Sequence, residues 1–258
     1  MKQLNYILIF VLLIISTAHA AIKTQTVEYK DGNTVLEGYL AYDDAIKGTI
    51  PAVLIVHEWT GIGTYVKNRA EQIAGLGYAA FAIDIYGKAI RPADTNEAST
   101  QAAIYRGDRK LMRQRALAGL TQIKTYPFVD ANKIGAMGYC FGGGVVLELA
   151  RSGADLKGVV SFHGNLDTPD PNDNNNIKCK VLVCHGADDP YVNQEQVNAF
   201  ENSMRKTKVD WEMLIFGNAV HGFTNPDNGS DPSKGVAYNR QADMRSWEAM
   251  REFFREVF

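Results

Sequence analysis

Gly138-Tyr139-Cys140-Phe141-Gly142-Gly143-Gly144 decides how this chain is read. A strand-like run, Lys133 to Gly138, leads into it, and a helix-like run, Val145 to Arg151, leads out and is closed by Ser152-Gly153. A residue at a strand-to-helix turn, with glycines two before and two after it, has the pattern of a nucleophile elbow. Glycine fits there because the strand and helix backbones approach too closely for a side chain. The residue at the tip is Cys140 rather than serine. The bland alternative is a glycine-rich turn that carries a buried structural thiol.

Working outward, buried strands alternate with helices. Pro51 to His57 and Tyr78 to Ile83 are nearly continuous apolar runs, as expected of strands covered on both faces. Lys157 to Phe162, Cys179 to Cys184 and Val209 to Phe216 extend the series. Helices are predicted over 66–76, over 108–126 with Met112, Ala116, Leu120 and Ile123 as its apolar stripe, from Asn193 with Val197, Phe200 and Met204, and at the C-terminus with Trp247, Met250 and Phe254. Before them, 24–29 and 35–42 alternate around Asp31-Gly32-Asn33 and read as a hairpin. Residues 85–107, 164–177 and 217–234 read as loops. The expectation is a mostly parallel sheet with an N-terminal antiparallel hairpin and helices on both faces, with ligands bound beyond the carboxyl ends of the strands.

The N-terminus reads differently. Lys2, the apolar run Tyr6 to Ile15 and Ala18-His19-Ala20 have the layout of a signal peptide cleaved after Ala20. That leaves 21–258 as one domain in a periplasmic or secreted protein, with no membrane attachment after cleavage and monomeric by expectation. The formal net charge of -2 argues against a nucleic-acid partner. Three cysteines follow, Cys140, Cys179 and Cys184. The last two lie five apart in an extended strand, on opposite faces and too far apart to bridge. No metal-ligand spacing is present, and neither a metal nor another cofactor is expected. An unpaired thiol in an oxidising compartment is a liability, so Cys140 invites a functional explanation.

A cysteine nucleophile needs a base and an acid that orients the base. His57, His163 and His185 each end a strand and read as pocket wall or satisfied structural residues. On a strand–elbow–helix scaffold the order along the chain is nucleophile, acid, histidine. Asp188 or Asp189, in the turn after His185, followed by His221 in the loop after the last strand, is the one assignment that fits.

With these residues in hand, the chain resembles the dienelactone hydrolase family of α/β-hydrolases from about Val27 onward. The resemblance rests on His57-Glu58-Trp59-Thr60-Gly61, Gly77-Tyr78-Ala79-Ala80, Asp84-Ile85-Tyr86-Gly87, the elbow, His185-Gly186-Ala187-Asp188-Asp189-Pro190 and His221-Gly222-Phe223. It implies an α/β-hydrolase fold and hydrolysis of activated esters or lactones. It implies Cys140 as nucleophile, His221 as base, Asp189 rather than Asp188 as acid, and Glu58 in contact with the resting thiol. The oxyanion hole would be the backbone N–H groups of Phe141 and Trp59. Tyr86, Arg106 and Asn225 fall to the substrate pocket, with Arg109 a second arginine in the same region. The family holds a substrate carboxylate with an arginine four residues after the histidine. Asn225 stands there instead, so the reaction type transfers better than the substrate. The rival readings are a thioesterase, a peptidase or acyl-peptide hydrolase on the same fold, a non-catalytic binding protein and, last, a redox thiol.

Overall fold

A computed structural model describes residues 22–258; the expected signal peptide and its cleavage site lie outside the described residues. Eight strands form one sheet: β1 (Ile22–Asp31), β2 (Thr34–Asp43), β3 (Ile50–Val56), β4 (Ala79–Ile83), β5 (Val129–Tyr139), β6 (Gly158–Phe162), β7 (Lys180–Gly186) and β8 (Trp211–Phe216). Their spatial order is β1-β2-β4-β3-β5-β6-β7-β8. β1 pairs antiparallel with β2, and β2 with β4; every later pairing is parallel. Gly32, at a φ of 56°, takes the left-handed turn that closes the β1–β2 hairpin.

The continuous apolar runs form the centre of the sheet because both faces are covered. In β4, Ala79, Phe81 and Ile83 enter one core while Ala80 and Ala82 enter the other. Ala52, Leu54 and Val56 of β3 alternate with Val53 and Ile55 in the same way. The first core is closed by α3 (Arg109–Ile123), α4 (Phe141–Arg151) and α5 (Gln194–Met204), through Met112, Ala116, Val145, Leu149, Val197 and Phe200. The second is closed by α1 (Thr64–Ala74) and α6 (Arg240–Val257), through Val66, Ile73, Met250 and Phe254. This is the mostly parallel, doubly covered sheet expected from the alternation of strands and helices, and the α/β-hydrolase fold that the resemblance implies. Cys179 and Cys184 face opposite cores, and all three cysteines are buried and unbridged. No helix among the described residues is long and apolar enough to cross a membrane.

One expectation is corrected. The stretch 85–107, read as a loop, contains α2 (Thr95–Gly107). Its stripe is narrow, with only Ala98, Ala102 and Tyr105 buried, so the apolar period is weak. The start was nevertheless encoded: the Asp94 side chain accepts hydrogen bonds from the N–H groups of Asn96 and Glu97.

The loop 164–177 is tied down rather than free. Arg106 donates to Asn165, Arg109 to Asp167 and Arg113 to Asp173. From beneath, Arg151 bonds Asn174 and the carbonyls of Leu166 and Asp167. Arg151 is itself paired with Glu148, and both side chains are almost fully buried.

Candidate active site

Cys140 lies between the end of β5 and the first turn of α4, with φ 54° and ψ −117°. A non-glycine residue there stores on the order of 1–3 kcal/mol of backbone strain. The flanking glycines make the turn possible. A Cβ on Gly138 would sit 2.1 Å from the Gly142 carbonyl oxygen, and one on Gly142 would sit 2.3 Å from that of Val56. The amide of Cys140 donates to the Phe162 carbonyl at 3.0 Å and to His163 Nδ1 at 3.1 Å.

Two further loops converge on the thiol. His221, in the loop after β8, places Nε2 3.1 Å from Cys140 Sγ. Its Nδ1 lies 2.8 Å from Asp189 Oδ2. Asp189 Oδ1 accepts the N–H groups of Tyr191 at 2.8 Å and Val192 at 3.2 Å. A carboxylate oxygen held this way accepts, so Nδ1 carries a proton, and a second proton is shared between Nε2 and the sulfur that it faces. Asp189 is buried, whereas Asp188 points to solvent. Burial opposes a charged imidazole at His221, but the charges and hydrogen bonds of Cys140 and Asp189 outweigh it and push its pKa up to about 10.

The amide of Phe141 is the first of α4 and has no partner within the helix. Among the described residues, neither it nor the Trp59 amide donates to a protein group. The positive end of the α4 dipole adds to the same place. Behind Trp59, His57 accepts the Ile85 N–H at Nε2, so its Nδ1 carries the proton and donates to the Glu58 carbonyl at 2.6 Å. The Tyr86 phenol donates to the Trp59 carbonyl at 2.8 Å. Tyr86 thus holds the Trp59 segment from inside, a support rather than an open pocket wall. Arg106 is exposed, with its guanidinium 5.9 Å from the Phe141 ring.

Glu58 is where the structure departs most from the sequence reading. Its Oε2 accepts a 2.9 Å hydrogen bond from the Asn225 amide, and among the described residues no hydrogen bond joins it to Cys140. The thiol faces His221 instead. Burial pushes the Glu58 carboxyl above its ordinary range, against the pull of the Asn225 amide and the His221 charge.

Sequence reasoning assigned no role to a second layer behind the thiol. Because His163 Nδ1 accepts the Cys140 amide, its Nε2 is protonated and donates to Thr224 Oγ1 at 2.7 Å. The same oxygen accepts the Tyr65 hydroxyl, and the Thr224 carbonyl accepts Arg69. Burial, followed by the nearby His221 charge, holds the His163 pKa well below its usual value, so it stays neutral. The clue was its place at a strand end, which two other histidines share. Tyr191, the most exposed large hydrophobic side chain among the described residues, sets its ring 5.3 Å from that of His221 and was also not singled out. A cleft of about 670 Å³ lies elsewhere, at the amino ends of β6 and β7, lined by Lys157, Lys178 and Lys180. It has none of the nucleophilic geometry found at the carboxyl ends.

Comparison with known proteins identifies the family and the fold. The model of the dienelactone hydrolase family matches residues 36–258. A solved dienelactone hydrolase-like promiscuous phosphotriesterase from metagenomic libraries is 43% identical, with a TM-score of 0.88 over 92% of this chain and 99% of that one. A solved structure called m3DLH is 40% identical, with a TM-score of 0.89 and the same coverage. A Bradyrhizobium sp. protein named "Probable 2-oxo-3-(5-oxofuran-2-ylidene)propanoate lactonase" is 27% identical over 214 residues, 79% of this chain and 86% of that one. The chain is a hydrolase-fold protein that belongs to the dienelactone hydrolase family.

Proposed function

We propose that this chain is a carboxylic ester hydrolase acting on activated esters or lactones through an acyl-cysteine intermediate. The observation that carries the reading is the continuous line from Cys140 Sγ through His221 to Asp189 at the tip of the elbow. His221 Nε2 takes the thiol proton, and the thiolate attacks the ester carbonyl. Negative charge passes to the carbonyl oxygen, which rests on the N–H groups of Phe141 and Trp59. The tetrahedral adduct collapses, the C–O bond breaks and the imidazolium protonates the leaving oxygen. Water, deprotonated by His221, then attacks the thioester carbonyl, and Cys140 leaves as the thiol once the proton returns. In a lactone the leaving oxygen stays attached to the acyl chain, so the second step releases a single hydroxy acid.

A thiolate is itself a good leaving group, so the tetrahedral adduct goes forward only when the oxygen leaving group is at least comparably good. Enol and aryl esters therefore outrank alkyl esters and amides. Residues 1–20 support an extension of this reading, in which the enzyme is exported and works from Ala21 onward outside the cytoplasm.

The test is release of 4-nitrophenol from 4-nitrophenyl acetate, with mass spectrometry of the quenched enzyme. Wild type should turn over and carry one acetyl group on Cys140, while Cys140→Ala should do neither. Equal rates from the two proteins would sink the reading. The likeness to the phosphotriesterase favours a second reaction at the same thiol, attack on phosphorus with expulsion of an aryl oxide. Diethyl 4-nitrophenyl phosphate in the same assay tests it, and no Cys140-dependent release would exclude it.

A further inference from the structure

The pairing of Glu58 with Asn225 bears on which ester this site accepts. Asn225 is buried, and both ends of its amide are engaged. Its Oδ1 accepts the Asp227 N–H at 3.0 Å, and its Nδ2 donates to Glu58 Oε2 at 2.9 Å. The amide orientation is therefore fixed by partners on both sides rather than being free to turn. Asn225 supplies a neutral donor, and one of its two N–H groups is already given to Glu58.

The pair carries one acidic group, Glu58, with Asp227 close by and with His221 and Arg69 as the nearby cations. Glu58 immediately precedes Trp59, whose N–H would hold the substrate carbonyl oxygen. The Glu58 carboxylate is half-buried and within electrostatic reach of both His221 and Asp227. Two arginines are near, and both have other partners. The Arg69 guanidinium is almost fully buried, bonded to Asp243 and to the Thr224 carbonyl. Arg106 reaches out to Asn165 and stands in solvent, where its charge is screened. An acyl chain with a carboxylate would thus be brought toward Glu58 with no unengaged cation to receive it. An uncharged acyl chain meets no such opposition.

We propose that the Glu58–Asn225 pair makes the site selective for esters and lactones whose acyl part carries no negative charge. The proposal rests on the ester-hydrolase reading above and adds the substrate class to it. Two unit charges about 6 Å apart, in surroundings between protein surface and water, repel enough to change a rate about tenfold.

A matched pair of substrates tests this at pH 8, because burial raises the Glu58 carboxyl pKa and alkaline solution favours its charged form. One is mono-4-nitrophenyl adipate, which carries a free carboxylate. The other is its methyl ester, 4-nitrophenyl methyl adipate. Leaving group and chain are the same, and each rate is divided by the hydroxide-catalysed rate of that ester. Wild type should favour the methyl ester by about tenfold or more in kcat/KM. Glu58→Gln removes the charge, keeps an oxygen for the Asn225 amide, and should bring the ratio to within about threefold. The wild-type ratio should also shrink as salt rises from about 0.05 to 0.5 M, which decides the matter even where Glu58→Gln fails to fold. A wild-type ratio near one, or a ratio unmoved by both salt and Glu58→Gln, overturns the proposal. Cys140→Ala separates the two claims. Turnover of the methyl ester by that variant removes the hydrolase reading, whereas a silent variant beside an unselective wild type removes only the charge inference.

Discussion

Asp189→Asn gives the sharpest test of how the three loops cooperate, because the structure dictates what the new amide must do. The Asp189 carboxylate has two oxygens with different partners. Oδ1 accepts the N–H groups of Tyr191 and Val192, and Oδ2 faces His221 Nδ1. In the asparagine variant the amide oxygen stays with the two backbone donors, since turning it away would leave both facing an NH2 group. The amide nitrogen is then forced against Nδ1. A donor there makes Nδ1 the acceptor and moves the single proton of the neutral ring to Nε2, opposite sulfur. Nε2 can no longer take the thiol proton. Loss of the carboxylate also removes one of the influences that raise the His221 pKa, leaving burial, which lowers it, less opposed. Wrong-tautomer variants of this kind lose on the order of 10⁴-fold in kcat. That corresponds to about 5 kcal/mol of transition-state stabilisation.

The assay is the pH profile of 4-nitrophenyl acetate hydrolysis together with the rate of alkylation by iodoacetamide, which needs the thiolate but not turnover. The direction follows from the histidine. With its pKa lowered, the imidazolium partner of the thiolate is lost at lower pH. Alkylation near neutrality should therefore fall strongly, and it should approach wild type only in alkaline solution. Asp188→Asn, an exposed change one residue away, should leave both measurements untouched. An Asp189→Asn enzyme within threefold of wild type near neutrality would refute the reasoning.

Two further outcomes test the supports of the site. Glu148→Ala strands Arg151, whose burial already opposes its charge, and should cost about 3–5 kcal/mol in urea unfolding; a loss under 1 kcal/mol would show that the loop 164–177 does not depend on the pair. Gly138→Ala drives a Cβ into the Gly142 carbonyl and should remove at least about 100-fold of the hydrolytic rate while circular dichroism shows folded protein, so an unimpaired variant would mean that the elbow opens freely.

Legibility in the sequence tracks how local each signal is. The β3 and β4 runs announce a doubly covered sheet because every residue except Pro51 enters one core or the other. The elbow is legible because its glycines answer a contact between residues four apart, Gly138 and Gly142. Asp189 could be separated from Asp188 only through the family's spacing, since both are turn carboxylates and only the folded loop buries one of them. The early part of β5 was missed because its pairing with β3 is irregular between Val129 and Ile134, where polar residues break the apolar run. The Glu58–Asn225 bond joins positions 167 residues apart. The sequence could mark Asn225 as unusual, but nothing near it says what its amide holds.

The two kinds of contact have different consequences for function. Cys140, Asp189 and His221 hang from the ends of β5, β7 and β8, so their relative placement is set by the parallel pairing of β5 through β8. Disturbing that placement means disturbing main-chain hydrogen bonds of the sheet. Glu58 and Asn225 meet through one side-chain hydrogen bond on which no strand pairing depends. The scaffold therefore fixes acyl transfer strongly and the charge of the accepted acyl group weakly. A cation in place of the Asn225 amide would turn Glu58 from an obstacle into the partner of that cation, with the nucleophile and its base left where they are. In this chain the side chain at that position is neutral, and the carboxylate beside the oxyanion site has an amide rather than a cation as its hydrogen-bond partner.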